Sequence, residues 1–196
     1  MLVLILGLIL FLGMHAVTMK RDVRAQLIGR LGEGGYKGLY SVVSIVGFVL
    51  LIYGYGLQRA AGYTPVWEPP VWTRHLALLL NLPIFILLAV GKRSGKILSV
   101  VKHPMLLAVK IWATAHLIAN GDLGSMLLFG SFLAWAVMAR ISIKRRPEEI
   151  ARSAGIVTVP FGRSDVIAIV AGLAAYVVFA FWLHPLLIGV PVITRA

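Results

Sequence analysis

The chain has 196 residues, 60% of them hydrophobic and only 13% charged, far from the composition of soluble globular domains. Its net charge of +12 is spread over short basic stretches between apolar runs, not along one amphipathic face, so a nucleic-acid partner is excluded and a lipid bilayer is implied. With no cysteine there is no disulfide, no thiolate-held iron–sulfur cluster and no thiolate haem ligand, so a tightly held metal must rely on histidine, methionine or oxygen.

The pattern predicts an all-α integral membrane protein, a single transmembrane domain over residues 1–196 built as a bundle of six transmembrane helices. Met1 to Met19 forms the first span, since it lacks the basic start and small-residue cleavage site of a signal peptide. Lys20, Arg21, Arg24, Arg30 and Lys37 follow, in a loop where Gly32, Gly34, Gly35 and Gly38 argue against a long continuous helix. Leu39 to Leu57 is the second span. Gln58 to Thr73, with Tyr63, Trp67 and Trp72 around Pro69 and Pro70, is an interfacial segment anchored by aromatic rings.

The third span runs from His75 to about Val90 and contains Pro83, which removes one backbone hydrogen bond and is expected to kink the helix. Lys92, Arg93, Lys96 and Lys102 make the next loop basic. The fourth span, Lys102 to Asp122, turns through Asn120-Gly121-Asp122 into a fifth, Leu123 to about Ile143. Arg140, Lys144, Arg145, Arg146, Arg152 and Arg163 then surround Glu148 and Glu149, and Val166 to Leu187 is the sixth span. Fifteen of the nineteen Lys and Arg residues lie in or beside the loops after spans one, three and five. The positive-inside rule makes those loops cytoplasmic, so both termini are expected to be periplasmic in a bacterial cytoplasmic (inner) membrane.

Chemistry concentrates in the fourth span, where two histidines, a lysine and an asparagine stand in one apolar segment; ionisable groups at such depth mark function. On a helix His103 and His116 lie ~20 Å apart and ~140° around the axis, so they cannot serve one small site. Trp112, His116 and Asn120 share one face, Lys110 and His103 another. The plainer roles are that His103 caps the helix near the headgroups and His116 bonds a neighbouring helix. By depth, His15 and His103 lie toward the cytoplasmic side, His75 and His184 at the outer ends of their spans, and His116 between.

The run His103-Pro104-Met105, then Trp112-x-x-x-His116-x-x-x-Asn120-Gly121-Asp122, resembles the signature of the NnrU family, bacterial membrane proteins tied to denitrification and related to the plant 15-cis-zeta-carotene isomerase. The resemblance implies haem b as cofactor, with iron held by one histidine of the Trp112-x-x-x-His116 motif and one of the first span, where Phe11-Leu12-Gly13-Met14-His15 looks like the family's opening. Carried over, it nominates His15 and His116 as metal ligands, with Trp112 and Asn120 beside the cofactor and His103 and His75 as reserve ligands. Depth alone pairs His15 better with His103. The plant relatives carry a cysteine three residues before the histidine matched by His116; here it is Ala113, so thiol-dependent redox behaviour is not implied.

The implied function is nitrite or nitric oxide metabolism, or haem-dependent cis–trans isomerisation of a hydrophobic, lipid-soluble polyene. Two other classes stay open, a non-catalytic membrane accessory protein and an isoprenylcysteine-methyltransferase-like enzyme, the latter because His103-Pro104, Glu148-Glu149 and Val159-Pro160-Phe161 are similar to the back half of those enzymes. Trp182, His184 and Pro185 read as an interfacial helix end, and Trp112 and Trp135 either line a pocket or pack.

Overall fold

The computed structural model describes residues 1–62, 64–90, 95–148 and 159–192. Tyr63, Lys92, Arg93, Glu149 and Arg152 lie outside the described residues. Among the described residues every regular element is a helix: α1 (Leu2–Val17), α2 (Arg21–Ala60), α3 (Val71–Val90), α4 (Lys96–Val101), α5 (Pro104–Ala119), α6 (Leu123–Lys144), α7 (Arg163–Val178), a π-helical segment (Phe179–Leu183) and α8 (His184–Ile188). Among the described residues, four helices are long and apolar enough to cross a membrane: α2, α3, α6, and the 26-residue run Arg163–Ile188. α1 and α5 are equally apolar but have 16 residues each. Rows of outward-facing side chains such as Val42, Ile45, Val49 and Ile52 on α2 fit a hydrocarbon environment, not water. The chain is an all-α membrane protein.

Two compact units divide the chain, Met1–Pro69 with Asn120–Arg146, and Pro70–Ala119 with Pro147–Ala196. In the first, α1 and α2 run antiparallel with almost no side chain between their backbones. A Cβ on Gly54 would collide with the Leu4 backbone, one on Gly7 with the Leu51 backbone, and one on Gly47 would stand 2.6 Å from the Phe11 nitrogen. The paired positions 4 with 54, 7 with 51 and 11 with 47 keep one register over about two turns. α6 runs parallel to α1, with Phe11 and Phe132 rings 5.8 Å apart and the Ser142 hydroxyl donating to the Met19 carbonyl at 3.3 Å.

The glycine-rich start of α2 is more helical than expected. Gly34, Gly35 and Gly38 are helical, and the break falls on Gly32 alone, at φ 71° and ψ 166°, a conformation open to glycine. Glu33 and Lys37 form a 2.8 Å ion pair across the first turn after it, the i, i+4 spacing that supports an exposed helix. Pro83 is contained within α3.

In the second unit α3 packs against α5 and α7 around Ile84, Leu87 and Ala108, with Phe85, Ile111 and Trp112 at the margin. Gly172 brings α7 onto the α3 backbone, where an added Cβ would stand 2.5 Å from the Ile86 Cα. The Tyr176 hydroxyl donates to the Leu78 carbonyl at 3.0 Å. Asp165, 2% exposed, accepts three backbone N–H bonds: Oδ1 from Ile97 at 2.9 Å, Oδ2 from Lys96 and from Gly162, each at 3.0 Å. One carboxylate thus caps the starts of α4 and α7 together.

Replacing Gly54 by leucine should lower stability by about 1–3 kcal/mol, because the side chain must push two touching backbones away from each other. Gly56→Ala, where an added Cβ meets nothing, should be neutral or mildly stabilising. Thermal unfolding of both variants in detergent compares them; equal melting temperatures would contradict this packing.

Candidate functional site

His15 stands in the last turn of α1, half-buried in aromatic rings from all three helices of its unit. Its imidazole lies 4.3 Å from the Phe11 ring, 5.4 Å from Tyr40 and 5.8 Å, edge-on, from Trp135. The α1–α2 register brings Tyr40 there, and the parallel course of α6 brings Trp135. Nδ1 bonds the Phe11 carbonyl at 2.7 Å. A carbonyl only accepts, so the proton sits on Nδ1 and the neutral ring's lone pair on Nε2.

His116 has the same arrangement in the other unit. Side chains on a helix lean toward its N-terminus, so the ring reaches back one turn and Nδ1 donates to the Trp112 carbonyl at 2.8 Å. The Trp112 and His116 rings are 5.4 Å apart, and Trp112 also packs on the Ile84, Leu87 and Ala108 core. Ala113 and Ala115, about 200° apart around the same helix, are both fully buried, so α5 is packed on two sides. In both histidines Nδ1 is fixed by a backbone carbonyl, which in the neutral ring puts the lone pair on Nε2, the tautomer and support that metal-ligating imidazoles use. Taken each in its own unit, the two rings offer nitrogen donors of the type that haem iron accepts. Among the described residues no three His, Asp or Glu side chains gather to hold an ion, so these residues build no multi-ligand ion centre.

The remaining candidates are placed as follows. α5 ends at Ala119, so Asn120 leaves the helical face that carries Trp112 and His116 and belongs to the unit of His15. The Gly121 carbonyl beyond it accepts from Val66 and Trp67 at 2.7 and 3.2 Å, which draws this turn into an extended pairing with 64–67. His103 precedes Pro104 at the start of α5, where its carbonyl accepts from Leu107 at 3.1 Å, the capping position expected of it. Lys102, just before, has φ 61°. His75 is exposed in the second turn of α3, and the His184 Nδ1 donates to the Val190 carbonyl at 2.8 Å.

Two arrangements were missed in the sequence. Asp122 caps α6, its Oδ1 accepting from the Ser125 N–H at 2.9 Å while its Oδ2 accepts from the Ser125 hydroxyl. Because Ser125 donates there, the 2.9 Å contact to Tyr55 has the tyrosine as donor, giving a one-way chain from Tyr55 through Ser125 to Asp122. An Asp three residues before a Ser at the head of an apolar run was the available signal. Asp165, three residues after Gly162, carried the same kind of signal at α7.

Nitrogen-15 spectra of histidine-labelled protein stripped of cofactor should find neutral His15 and His116 protonated at Nδ1, each assigned by its His→Gln variant. A proton on Nε2 of either ring would remove it as a ligand of this kind.

The model of the protein family described as NnrU protein matches residues 3–192, nearly the whole chain. No curated protein and no solved structure matches the chain. His15, Trp112 and His116 all lie within the matched residues, and the chain belongs to the NnrU family.

Proposed function

We propose that this protein is a haem-b-binding member of its family in the bacterial inner membrane, with His15 and His116 as iron ligands. The observation that carries this is the shared tautomer: two imidazoles in apolar helices, each with Nδ1 spent on the carbonyl four residues back and its lone pair at Nε2. Bound haem would supply an iron centre able to exchange an electron, at a potential tuned by the imidazoles of His15 and His116 and the surrounding low dielectric. The chain's own residues hold the rings in place, and Phe11, Tyr40 and Trp135 keep water from His15.

Two reactions fall within this reading, nitrite or nitric oxide metabolism in denitrification, and cis–trans isomerisation of a polyene. The aromatic surroundings of His15, extended by Phe48 at 5.7 Å from Phe11, favour an extended apolar substrate drawn from the bilayer. An accessory protein without cofactor and a methyltransferase-like enzyme are the competing classes. The second needs Glu149, which lies outside the described residues.

Protein purified in mild detergent from haem-replete cells should show a Soret band with sharp α and β bands on reduction. His15→Ala and His116→Ala should each lose most of the haem, and His184→Ala should keep it. A colourless wild-type preparation ends the haem reading. A normal spectrum in His116→Ala together with its loss in His103→Ala or His75→Ala moves the ligand to that residue.

The same reading places six crossings in the bilayer with both termini periplasmic. α1 and α5 rise ~24 Å by their residue count, so their flanking residues complete the passage. Alkaline phosphatase fused after Ala196 should be active and fusions within 144–152 inactive. The reverse pattern would overturn the orientation.

A further inference from the structure

The end of the first unit that lies beyond His15 is built for an anion. Of its ten Lys and Arg residues all but Arg59 stand at this end, against two carboxylates, Asp22 and Glu33. Glu33 is already paired with Lys37 on the exposed surface. Four buried donor atoms here have no acceptor among the described residues: the Tyr36 hydroxyl, Trp135 Nε1, Arg140 Nη1 and Arg146 Nε. Tyr36 is only 5% exposed, so its hydroxyl is orphaned in the interior. A buried polar group without a partner is costly, and more so when charged. Four such groups, all donors, ask for one ligand rich in acceptor oxygens.

Helix register brings Thr18, Tyr40 and Arg140 to one level, with Trp135 ~8 Å before it and Arg146 ~9 Å beyond it along the α6 axis. The α1–α2 pairing sets Thr18 opposite Tyr40, and the antiparallel pairing of α2 with α6, fixed by Tyr55 and Ser125, sets Tyr40 opposite Arg140. The His15 ring contacts both Tyr40 and Trp135, and Tyr36 lies 6.2 Å from Tyr40. Arg146 reaches back to the Thr18 carbonyl with Nη2 at 3.5 Å, which leaves Nε for another acceptor. The break at Gly32 folds the start of α2 back, so that Arg24 sits 5.6 Å over the Tyr36 ring, where a straight helix would hold the two ~18 Å apart.

Depth identifies the oxyanion. From Asp122, at one end of α6, to Arg140 the helix rises ~27 Å, close to the ~30 Å thickness of the hydrocarbon layer. A group bound at Arg140 therefore sits at headgroup level, beside the lipid-facing Leu39 and Val42 of α2. We infer that Tyr36, Trp135, Arg140 and Arg146 form a binding site for an anionic phospholipid, with its phosphate at Tyr36, Arg140 and Arg146. The site stands on donors and charge alone, and holds whether or not iron binds His15.

Native mass spectrometry of the full chain in mild detergent tests it, with phosphatidylglycerol and phosphatidylcholine of matched acyl chains and with inorganic phosphate as probes. Phosphatidylglycerol should be retained at least about tenfold more tightly than phosphatidylcholine, and Arg140→Gln and Tyr36→Phe should each weaken it by about tenfold, the loss of one charge-assisted bond. Lys37→Gln, an equal change of charge at an exposed position, should leave it unaltered. Tyr36→Phe removes a single oxygen and decides the matter if Arg140→Gln does not fold. Retention in Tyr36→Phe equal to that of Lys37→Gln overturns the site. Loss of the lipid preference in millimolar inorganic phosphate, or on loading with haem, overturns its assignment to lipid in favour of free phosphate or the haem carboxylates.

Discussion

Direct contact between helix backbones is the constraint on which the first unit depends. Lipid tails solvate apolar side chains as well as other side chains do, so helices in a bilayer gain little from burying leucine against leucine and must instead gain dispersion at close range. Gly7, Gly47 and Gly54 provide that range for α1 and α2. They also fix which residues stand opposite one another, and so deliver Tyr40 to His15. Slippage by one turn would move every ring in that group by ~5 Å. Gly172 has the same effect in the second unit, seating α7 on α3 so that Tyr176 reaches the Leu78 carbonyl and Phe85.

Away from these contacts, the starts of α4, α6 and α7 are held by carboxylates that accept several bonds each. Asp122 serves the N–H and the hydroxyl of Ser125 and passes the bond on to Tyr55, while the adjoining turn pairs with 64–67 through the Gly121 and Thr64 carbonyls. Asp165 does this for α4 and α7. Apolar dispersion in the middle and satisfied hydrogen bonds at the ends divide the work as a bilayer requires, since unpaired backbone groups are tolerable only where water or headgroups reach them.

The apolar runs were legible because twenty residues of Leu, Ile, Val and Ala have few other fates; α3 and α6 begin or end within a few residues of the expected bounds. The Trp112–His116 pair was legible as well, its i, i+4 spacing being a property of one helix. The company of His15 was not. Tyr40 and Trp135 reach it only through two separate helix registers, and no local pattern reports a register. Asn120 was placed on the His116 face because the sequence carries no stop before Gly121, whereas the pairing of Gly121 with Val66 and Trp67 ends the helix one residue earlier. The four glycines after span one suggested a loop, but three of them are accommodated in a helix whose turns are supported by neighbours such as Glu33 and Lys37.

The Asp165 cap has a consequence for how this region can drift over generations. Its carboxylate grips the N–H groups of Lys96 and Ile97 and never their side chains. Any residue other than proline at either position still supplies the N–H that the carboxylate accepts. Gly95 is not, because a Cβ there would stand 2.6 Å from the Asp165 Oδ1. Two positions seventy residues apart are thus tied as a pair: a methyl group at one is compatible with the fold only after the carboxylate at the other has moved or gone, and lineages that keep the aspartate are held to the glycine.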